Sequence, residues 1–265
     1  MKSQKHIKKS LKKLSEHKPK KKNFYSDKNL FGHYLAGLID GDGYFSTMGH
    51  CVISFSSKDE SFARQLRTQI GYGTIIKIAA KKPFNLVISH PDGIKRVTSL
   101  VLNKLKHPIK IKQFNERVTK LYSIDLTSES SIIDWDTPWF SGFFDAEGNF
   151  VSELNKVKTE IRLLVQIDQK ENVLLEQLKK KFSGYLGYKK TQDTYYYSST
   201  SFSNVSIILQ YFDKFSLQSP TKYLSYNCIR KAFLIVQEKK HLTEKGFEKI
   251  EAYQKRLFEI KNLKV

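Results

Sequence analysis

Two acidic residues in matching contexts are the strongest candidates for chemistry in this sequence. Asp42 lies in the stretch LAGLIDGDG at residues 35–43, and Glu147 lies in the stretch FSGFFDAEG at residues 140–148. Each stretch predicts a short helix that carries one carboxylate to its C-terminal end. Two carboxylates beside two helix C-termini make a strongly negative spot, which is unfavourable unless a cation fills it. Because oxygen ligands and a phosphate substrate favour Mg²⁺, the pair predicts metal-assisted hydrolysis of phosphodiesters.

The spacing of small residues indicates how the two acids would meet. Gly37 and Gly41 are four positions apart, as are Gly142 and Ala146, so each helix has one stripe that is nearly bare. Bare stripes allow two helix backbones to pack closely. One such helix alone is most often a core helix with a cap, but two copies with matched residues favour a paired functional site.

The residues around each acid predict the local geometry. Gly43 and Gly148 follow the acids, and they are expected to cap the helices in the left-handed conformation before the strands begin. Asp40 and Asp145 come two positions earlier than the acids and therefore point to another side of each helix. We expect these two residues to make capping or structural contacts.

The repeat extends beyond the two motifs. Matching residues recur at nearly constant offsets: 105 positions from Asp42 to Glu147, 113 from Gly71 to Gly184 and 110 from Lys112 to Lys222. These offsets predict an α+β fold of two pseudo-symmetric αββαββα halves. The halves would form a saddle of antiparallel sheets, with the motif helices packed at their interface.

The chain is expected to contain five segments. They are a basic, mobile N-terminal arm at 1–28, a first half at 29–122, a linker at 123–137, a second half at 138–240 and a C-terminal helix at 241–265. The last helix of the first half is predicted at Lys112–Tyr122. The C-terminal helix has no counterpart in the first half.

The paired motifs resemble those of a known family. LAGLIDGDG is nearly a consensus match and FSGFFDAEG is a common variant, so the chain resembles the single-chain, two-motif LAGLIDADG homing endonucleases from about residue 29 to 233. The resemblance implies that Asp42 and Glu147 are catalytic acids. It also implies that they bind metal together with the backbone carbonyls of Gly41 and Ala146.

The resemblance implies further catalytic residues. The family's polar residue after the second strand falls on Gln169 and Ser57, and its active-site lysines fall on Lys112 and Lys222. A glutamine can hold a water-bound proton network, and a lysine can offset transition-state charge. Because Ser57 departs from the commoner glutamine, unequal cutting of the two strands is expected. For both lysines, a plain basic surface contact is an equally good interpretation.

The composition excludes several classes of protein. The 265 residues contain 46 Lys and Arg against 26 Asp and Glu, so the net charge is +20 and the pI is about 9.7. An excess of this size points to a polyanionic partner. The two cysteines offer no disulfide framework. No apolar run approaches the ~20 residues of a membrane span, so no membrane partner is expected. The amino-acid composition, rich in Lys, Ile and Asn, is typical of AT-rich coding DNA and predicts an organellar origin, in a mitochondrion or chloroplast.

Alternation along the predicted strands assigns a DNA-reading face. Cys51, Ile53 and Phe55 are predicted to face the core, and Val52 to face outwards with its even-numbered neighbours. Such mixed polar faces are more often plain solvated surface, but the basic charge and the acid pair favour DNA here. The residues predicted to contact DNA are Tyr44, Ser46, His50, Ser54, Lys77, Lys81, Asn149, Lys158, Glu160, Arg162, Gln166, Lys189 and Tyr195.

Together these observations predict a monomeric endonuclease that binds a long, asymmetric double-stranded DNA target and cuts both strands. The expected cofactors are two or three divalent ions at the interface between the halves, Mg²⁺ with Ca²⁺ or Mn²⁺ as substitutes. The family resemblance implies cohesive 3′ ends. The alternative is an RNA-binding maturase that assists splicing of a host intron, alone or in addition to cutting. A silent DNA-binding regulator is a third interpretation, against which the two intact acids count.

Overall fold

The motif helix of the first half begins where its sequence predicts. The computed structural model describes residues 13–78, 83–123, 130–155, 157, 160–199 and 201–263. Helix α1 spans Lys28–Asp42, and the Asp27 side chain caps it by accepting hydrogen bonds from the amides of Asn29 and Leu30. Most residues of α1 are buried. It is therefore a central helix, covered on several sides.

The rest of the first half forms an antiparallel sheet backed by helices. In chain order the elements are β1 (Gly43–Phe45), β2 (Cys51–Phe55), a 3₁₀ turn (Ser57–Asp59), α2 (Glu60–Ile70), β3 (Thr74–Lys77), β4 (Phe84–Ile88), α3 (Pro91–Val101), α4 (Pro108–Phe114), a π-helical stretch (Asn115–Thr119) and α5 (Lys120–Tyr122). The strands pair in the order β1-β2-β4-β3. Helix α4 begins at Pro108 and not at Lys112, because the His107 side chain caps it and proline occupies its first position.

The second half repeats this arrangement. Its elements are α6 (Trp139–Glu147), β5 (Gly148–Asn155), β6 (Glu160–Gln169), α7 (Val173–Phe182), β7 (Tyr185–Lys189), β8 (Thr194–Ser199), α8 (Phe202–Lys214) and α9 (Pro220–Gln237). The strand order β5-β6-β8-β7 matches that of the first sheet. The predicted α+β fold of two pseudo-symmetric αββαββα halves is therefore confirmed.

A final helix, α10 (Glu244–Lys261), packs on α9 and β5 and has no equivalent among the described residues of the first half. The Gln254 side chain donates a hydrogen bond to the carbonyl of Ser152 at 2.8 Å. At the far end, the Lys58 ammonium donates to the carbonyl of Lys261 at 3.0 Å. Helix α10 therefore connects the second half to the first. In the described part of the chain, no helix combines the length and the apolar character that crossing a bilayer would need.

The alternation of strand residues sets the two faces of each sheet. Cys51, Ile53 and Phe55 are buried on the core side of β2, as predicted. On the outward side, Val52 pairs with Tyr44 on β1 and with Val87 on β4 and is only 4% exposed. The direction of Val52 was therefore predicted correctly, although its neighbours cover it.

The glycines after the two acids do not adopt the predicted left-handed conformation. Gly43 has φ −99° and Gly148 has φ −71°, both in the extended region. A Cβ on Gly43 would come within 2.7 Å of the Ile39 Cα, and one on Gly148 within 2.2 Å of the Phe144 ring. The expectation of a left-handed cap was wrong, and glycine is needed here for space.

Residues 13–27 are attached to the second half and do not form the mobile arm that their composition predicts. Leu14 and Phe24 are 2% and 1% exposed. The Leu14 amide donates to the Gln237 side chain at 2.9 Å, and that side chain donates back to the Leu14 carbonyl at 3.0 Å. Burial of two apolar side chains anchors the segment. Other predicted segments extend beyond the described residues, namely 1–12 of the arm, 124–129 of the linker and 264–265 at the end of the chain.

Candidate active site

Helices α1 and α6 pack backbone against backbone, as the small residues predict. A Cβ built on Gly37 would lie 1.9 Å from the carbonyl oxygen of Trp139, and one on Gly142 would lie 1.9 Å from that of Tyr34. Gly41 faces Ala146 across the same seam, where a Cβ would lie 2.4 Å from the Ala146 Cβ. Larger side chains would force the helices apart. The seam therefore fixes where the C-terminal ends of both helices lie.

The two motif acids meet at these helix ends. Burial raises the pKa of Asp42 to about 6 and, together with the negative charge of Asp42, raises the pKa of Glu147 to about 7. A Cβ on Gly41 would lie 3.2 Å from the Glu147 Cγ, so both carboxylates lie at the same end of the seam. The predicted juxtaposition is confirmed.

Two lysines lie beside the acid pair, one from each half. Lys110 donates a hydrogen bond to the Gly43 carbonyl at 2.5 Å, and Lys222 donates one to the Gly148 carbonyl. Burial lowers the pKa of both lysines, and the charges of Asp42 and Glu147 oppose that shift. The two ammonium groups thus occupy pseudo-equivalent places.

The sequence prediction named Lys112 for the first of these places, and the structure corrects it. The Lys112 side chain is 74% exposed and lies 3.9 Å from Glu116. Two residues earlier on α4, Lys110 faces the acids. A local signal identifies the right lysine, since each lysine follows the proline at the start of its helix by two positions, in Pro108-Ile109-Lys110 and in Pro220-Thr221-Lys222.

Gln169 also lies at the acid pair, but its predicted counterpart does not. The Gln169 side chain is 8% exposed and lies within hydrogen-bonding reach of Glu147. Burial raises the pKa of Glu147, and the hydrogen bond from Gln169 partly opposes that rise. In the strand registers, Gly148 pairs with Ile167 and Gly43 pairs with Ile53. Two positions beyond these partners are Gln169 and Phe55. Phe55 therefore occupies the place that the sequence prediction gave to Ser57, which lies in the following turn.

Asp40 makes the structural contacts that were expected of it. Its carboxylate accepts hydrogen bonds from the amides of Lys106 and His107 at 2.7 and 3.1 Å, and from the Trp139 indole at 2.8 Å. Trp139 belongs to α6, so Asp40 holds the start of α4 and the partner motif helix together. It is fully occupied away from the acid pair.

Asp145 plays the equivalent part in the second half. It accepts hydrogen bonds from the Tyr34 hydroxyl at 2.6 Å and from the amides of Gln218 and Ser219 at 2.7 and 3.1 Å. These contacts fix the start of α9, which carries Lys222. The inner acid of each motif thus positions the helix that supplies a lysine to the site.

The acid pair suits a divalent ion by its chemistry. Both carboxylates are largely removed from water, and within the described residues no arginine is paired with either of them. A hard cation with oxygen ligands would relieve their mutual repulsion. No group of three or more His, Cys, Asp or Glu side chains that could hold a metal exists among the described residues. The remaining ligands would therefore have to be backbone carbonyls, water and substrate phosphate.

Most of the predicted DNA contacts do lie on the outward sheet faces. On the first sheet, Tyr44 faces outwards opposite Val52, and the Ser54 hydroxyl donates to Asn85 at 3.0 Å. On the second sheet, Asn149 lies opposite Gln166, and Arg162 is bonded to Glu160 at 2.9 Å. Of the other predicted residues, Lys189 lies on the outward face of β7, 2.7 Å from Asp168. Ser46 and His50 lie in the turn between β1 and β2, where the His50 amide donates to the Ser46 hydroxyl at 3.1 Å.

Two predicted contacts lie on the other face of their sheets. Tyr195 pairs with Gln169 and packs against the core, so Tyr196 faces outwards in its place, with the Lys189 ammonium 5.4 Å from its ring. Lys77 pairs with Phe84 on the core side, and its ammonium lies 5.7 Å from that ring. In both cases the alternation of side chains along the strand determines which face of the sheet the residue occupies. Lys81 and Lys158, also predicted contacts, lie outside the described residues.

The fold and the site define a single-chain protein with two copies of one unit, whose motif helices bring two acids together. Family models agree with this definition, since that of the LAGLIDADG endonucleases matches residues 140–233 and that of the LAGLIDADG-like domain matches residues 32–118. An uncharacterized cox1 intron-2 protein of Schizosaccharomyces pombe is 42% identical over 90% of this chain and 76% of its own length. The chain belongs to the LAGLIDADG endonuclease family.

More distant relatives include proteins of two kinds. The intron-encoded DNA endonuclease ai2b of Dictyostelium discoideum is 25% identical over 69% of this chain and 70% of its own length. The intron-encoded RNA maturase bI4 of Saccharomyces cerevisiae is 29% identical over 66% of this chain, but this corresponds to only 28% of the maturase.

Solved structures have the same fold. The meganuclease I-SmaMI, bound to an uncleaved DNA target with calcium ions, aligns with a TM-score of 0.60 at 21% identity, over 84% of this chain and 97% of its own. The LAGLIDADG meganuclease I-CpaMI, bound to uncleaved DNA, aligns with a TM-score of 0.64 at 19% identity over the same shares, 84% and 97%.

Proposed function

We propose that this protein is a site-specific DNA endonuclease that hydrolyses both strands of a long, asymmetric duplex target. The observation that carries the proposal is the acid pair Asp42 and Glu147, held by two tightly packed helices and flanked by two lysines. The net charge of +20 supports a polyanionic substrate. The relationship to ai2b and the likeness to DNA-bound I-SmaMI and I-CpaMI support DNA as that substrate.

The acids and two backbone groups supply the ligands for metal. Asp42 and Glu147 hold divalent ions at the seam, and the carbonyls of Gly41 and Ala146 add oxygen ligands. Mg²⁺ is the physiological ion, with Ca²⁺ or Mn²⁺ as substitutes and two or three ions in the site. When bound, Mg²⁺ supplies positive charge that polarises the phosphate and favours ionisation of water.

The other residues of the site act on the phosphate and the attacking water. Lys110 and Lys222 offset the negative charge that develops on the phosphate in the transition state. Gln169 orients the water next to Glu147 through its amide. Hydrolysis consumes one water per strand, breaks one P–O bond and leaves one phosphate end and one hydroxyl end. As in the family, the two cuts are staggered and leave cohesive 3′ ends.

The outward faces of the two sheets would read different sequences. The first presents the Ser54 hydroxyl, with Ser46 and His50 in the turn at its end, whereas the second presents Arg162 and Gln166. Arginine and glutamine can pair bidentately with guanine and adenine, and short hydroxyls discriminate less. An asymmetric target follows from these unequal faces. Because both halves belong to one chain, the protein acts as a monomer.

The relatives support an organellar, intron-encoded origin. They include proteins of a cox1 intron and of an ND4 intron. Such an origin also fits the lysine-rich composition.

Selection from a randomised duplex library tests the proposal. The protein is incubated with the library and Mg²⁺, new ends on either strand are captured by ligation, and the recovered sequences are aligned. A single asymmetric consensus is expected, and its recovery should require both Mg²⁺ and the acids. Recovery of no consensus, or of the same ends with Asp42→Asn, would contradict the proposal.

A maturase activity is the second candidate, because one relative is the RNA maturase bI4. In such a protein, splicing would depend on RNA contacts and not on the acid pair. A protein with both Asp42→Asn and Glu147→Gln should then still promote splicing of its host intron in vitro. If neither the parent protein nor this variant accelerates splicing, the maturase candidate is removed and the nuclease proposal is unaffected.

A further inference from the structure

A polar cleft of about 190 Å³ beside Asp42 is shared by the two halves. From the first half Asp42 and Asp59 line it, and from the second half Thr221 and Lys222 do. Lys222 lies in the first turn of α9, and its ammonium reaches the Gly148 carbonyl next to the acid pair. The position of this ammonium therefore depends on how the start of α9 is held.

Asp59 does not cap the helix that follows it. It directly precedes α2, at the position where an aspartate usually accepts hydrogen bonds from the amides of the first helical turn. Among the described residues, no amide of α2 donates to the Asp59 side chain. Its Oδ1 atom accepts hydrogen bonds from the Ser219 hydroxyl at 3.1 Å and from the Thr221 hydroxyl at 2.8 Å, and its Oδ2 atom accepts one from the Ser56 hydroxyl at 2.5 Å. The carboxylate thus serves a contact between the halves in place of a local cap.

Both hydroxyls belong to the start of the helix that carries Lys222. Ser219 is the N-cap of α9, and its hydroxyl accepts a hydrogen bond from the Lys222 amide at 3.4 Å. Thr221 directly precedes Lys222. Asp145 holds the Ser219 amide at 3.1 Å from the motif helix of the same half, whereas Asp59 holds the two side chains from the other half. The start of α9 is therefore fixed between two acids that come from different halves.

The charge of Asp59 acts on Lys222 as well. Burial lowers the pKa of Lys222, and that shift is opposed by the charges of Asp145, Asp59, Asp42 and Glu147, in decreasing order. Asp59 therefore favours the ammonium form, which is the form that can offset negative charge on a phosphate.

From these contacts we infer that Asp59 is a positioning residue for Lys222, which holds the Ser219 and Thr221 hydroxyls from the first half and thereby places the ammonium at the acid pair. This inference rests on the proposed function, in which Lys222 acts on the phosphate. Loss of the two hydrogen bonds should slow cutting by about tenfold, because a charged acceptor makes the stronger kind of hydrogen bond. Duplex affinity should change little, since the sheet faces carry most of the DNA contacts.

Single-turnover cutting of the selected target, at saturating protein with Mg²⁺, tests the inference. Asp59→Ala should slow cutting by about tenfold, whereas Asp59→Asn should stay within about threefold of the parent protein, because its amide oxygen can accept from both hydroxyls. In a Lys222→Ala protein, Asp59→Ala should have no further effect, since the group that it positions is absent. Glu60→Ala is the matched control. It removes the neighbouring acid, which is paired with Arg64 within α2, and should leave the rate unchanged.

Hydrogen exchange of residues 218–223, measured without DNA or metal, tests the contact itself. Exchange should be faster in Asp59→Ala and unchanged in Asp59→Asn. If Asp59→Ala does not fold, Thr221→Val removes one of the two bonds from the other partner, and it should slow cutting and speed exchange in the same direction.

An Asp59→Ala protein that cuts like the parent would overturn the inference. It would also be overturned by an Asp59→Asn protein as slow as Asp59→Ala, or by an undiminished effect of Asp59→Ala in the Lys222→Ala protein. If the parent protein cuts no duplex, the proposed function fails. Exchange then still decides whether Asp59 holds the start of α9, and unchanged exchange in Asp59→Ala would overturn that contact.

Discussion

Replacing Glu147 by glutamine tests the electrostatic description of the acid pair most directly. The pKa of Glu147 rises from 4.5 to about 7 through burial and the charge of Asp42. A folded-state pKa above the unfolded value means that the folded protein binds the proton more tightly. Without metal, the free energy of unfolding is therefore highest below about pH 4.5 and falls as the pH rises through about 7.

The size of the effect follows from the pKa values. A rise from 4.5 to about 7 corresponds to about 3 kcal/mol, at about 1.4 kcal/mol per pH unit. Glutamine has a similar shape and no charge, so Glu147→Gln should stabilise the metal-free protein by up to that amount at pH 8. For a chain of this size, the melting temperature should rise by about 6–12 °C. At pH 5 the gain should shrink to about 1 kcal/mol, because the carboxyl group of the folded parent protein is then protonated and only the unfolded chain is still largely ionised.

Thermal unfolding measured by circular dichroism at both pH values, with EDTA and with Mg²⁺, tests this expectation. Mg²⁺ should stabilise the parent protein at pH 8 and should have much less effect on the variant. Glu248→Gln is the matched control, because it removes the same charge from an exposed position on α10. An unchanged or lower melting temperature for Glu147→Gln at pH 8 would refute the proposed burial of a repelled charge. Cleavage by Glu147→Gln should be lost while duplex binding stays within about tenfold, or ~1.4 kcal/mol.

Three further changes address the lysines, the seam and the sheet face. Lys110→Ala should slow cutting by about 100-fold with little change in duplex affinity. Lys112→Ala should leave both the cutting rate and the affinity unchanged. Rate measurements at saturating protein test both expectations. If Lys112→Ala slowed cutting as much as Lys110→Ala does, the assignment of Lys110 in place of Lys112 to the active site would be contradicted. Gly37→Ala places a Cβ 1.9 Å from a backbone oxygen of α6. The free energy of unfolding in urea should therefore fall by several kcal/mol, on the order of the cost of overpacking a core. A change below ~1 kcal/mol would contradict the close packing of the two helices. Arg162→Ala should weaken binding and alter the preferred base at one position of the selected target, and an unchanged consensus would remove Arg162 from base recognition.

The local sequence was sufficient for the acid pair and for the repeated fold. The stripes Gly37–Gly41 and Gly142–Ala146 determine which faces of two helices can touch, and the position of each acid after its stripe then brings the carboxylates together. Helix periodicity and strand alternation are local properties, so they can be read without knowing the fold. The same reasoning gave the separate, structural part of Asp40 and Asp145.

Residues whose place depends on distant parts of the chain could not be assigned in this way. Lys110 and Lys112 both lie on α4. The Pro-x-Lys spacing that α4 shares with α9 favours Lys110, but the contact of Asp40 with the amides of Lys106 and His107 directs the start of that helix, and with it Lys110, towards the acids. Similarly, the pairing of β1 with β2 assigns Phe55 to the place of Gln169.

The sequence by itself determined which residue types are present in two copies and how they are spaced along each helix or strand. The tertiary structure alone decided how α4 is placed against the motif helices, the register of the second sheet and the attachment of residues 13–27 through Leu14 and Phe24. Each of these depends on contacts between segments far apart in the chain, and a shift of one or two residues exchanges the face that a side chain occupies. Such shifts hardly alter the local pattern, and packing against the rest of the protein selects among them.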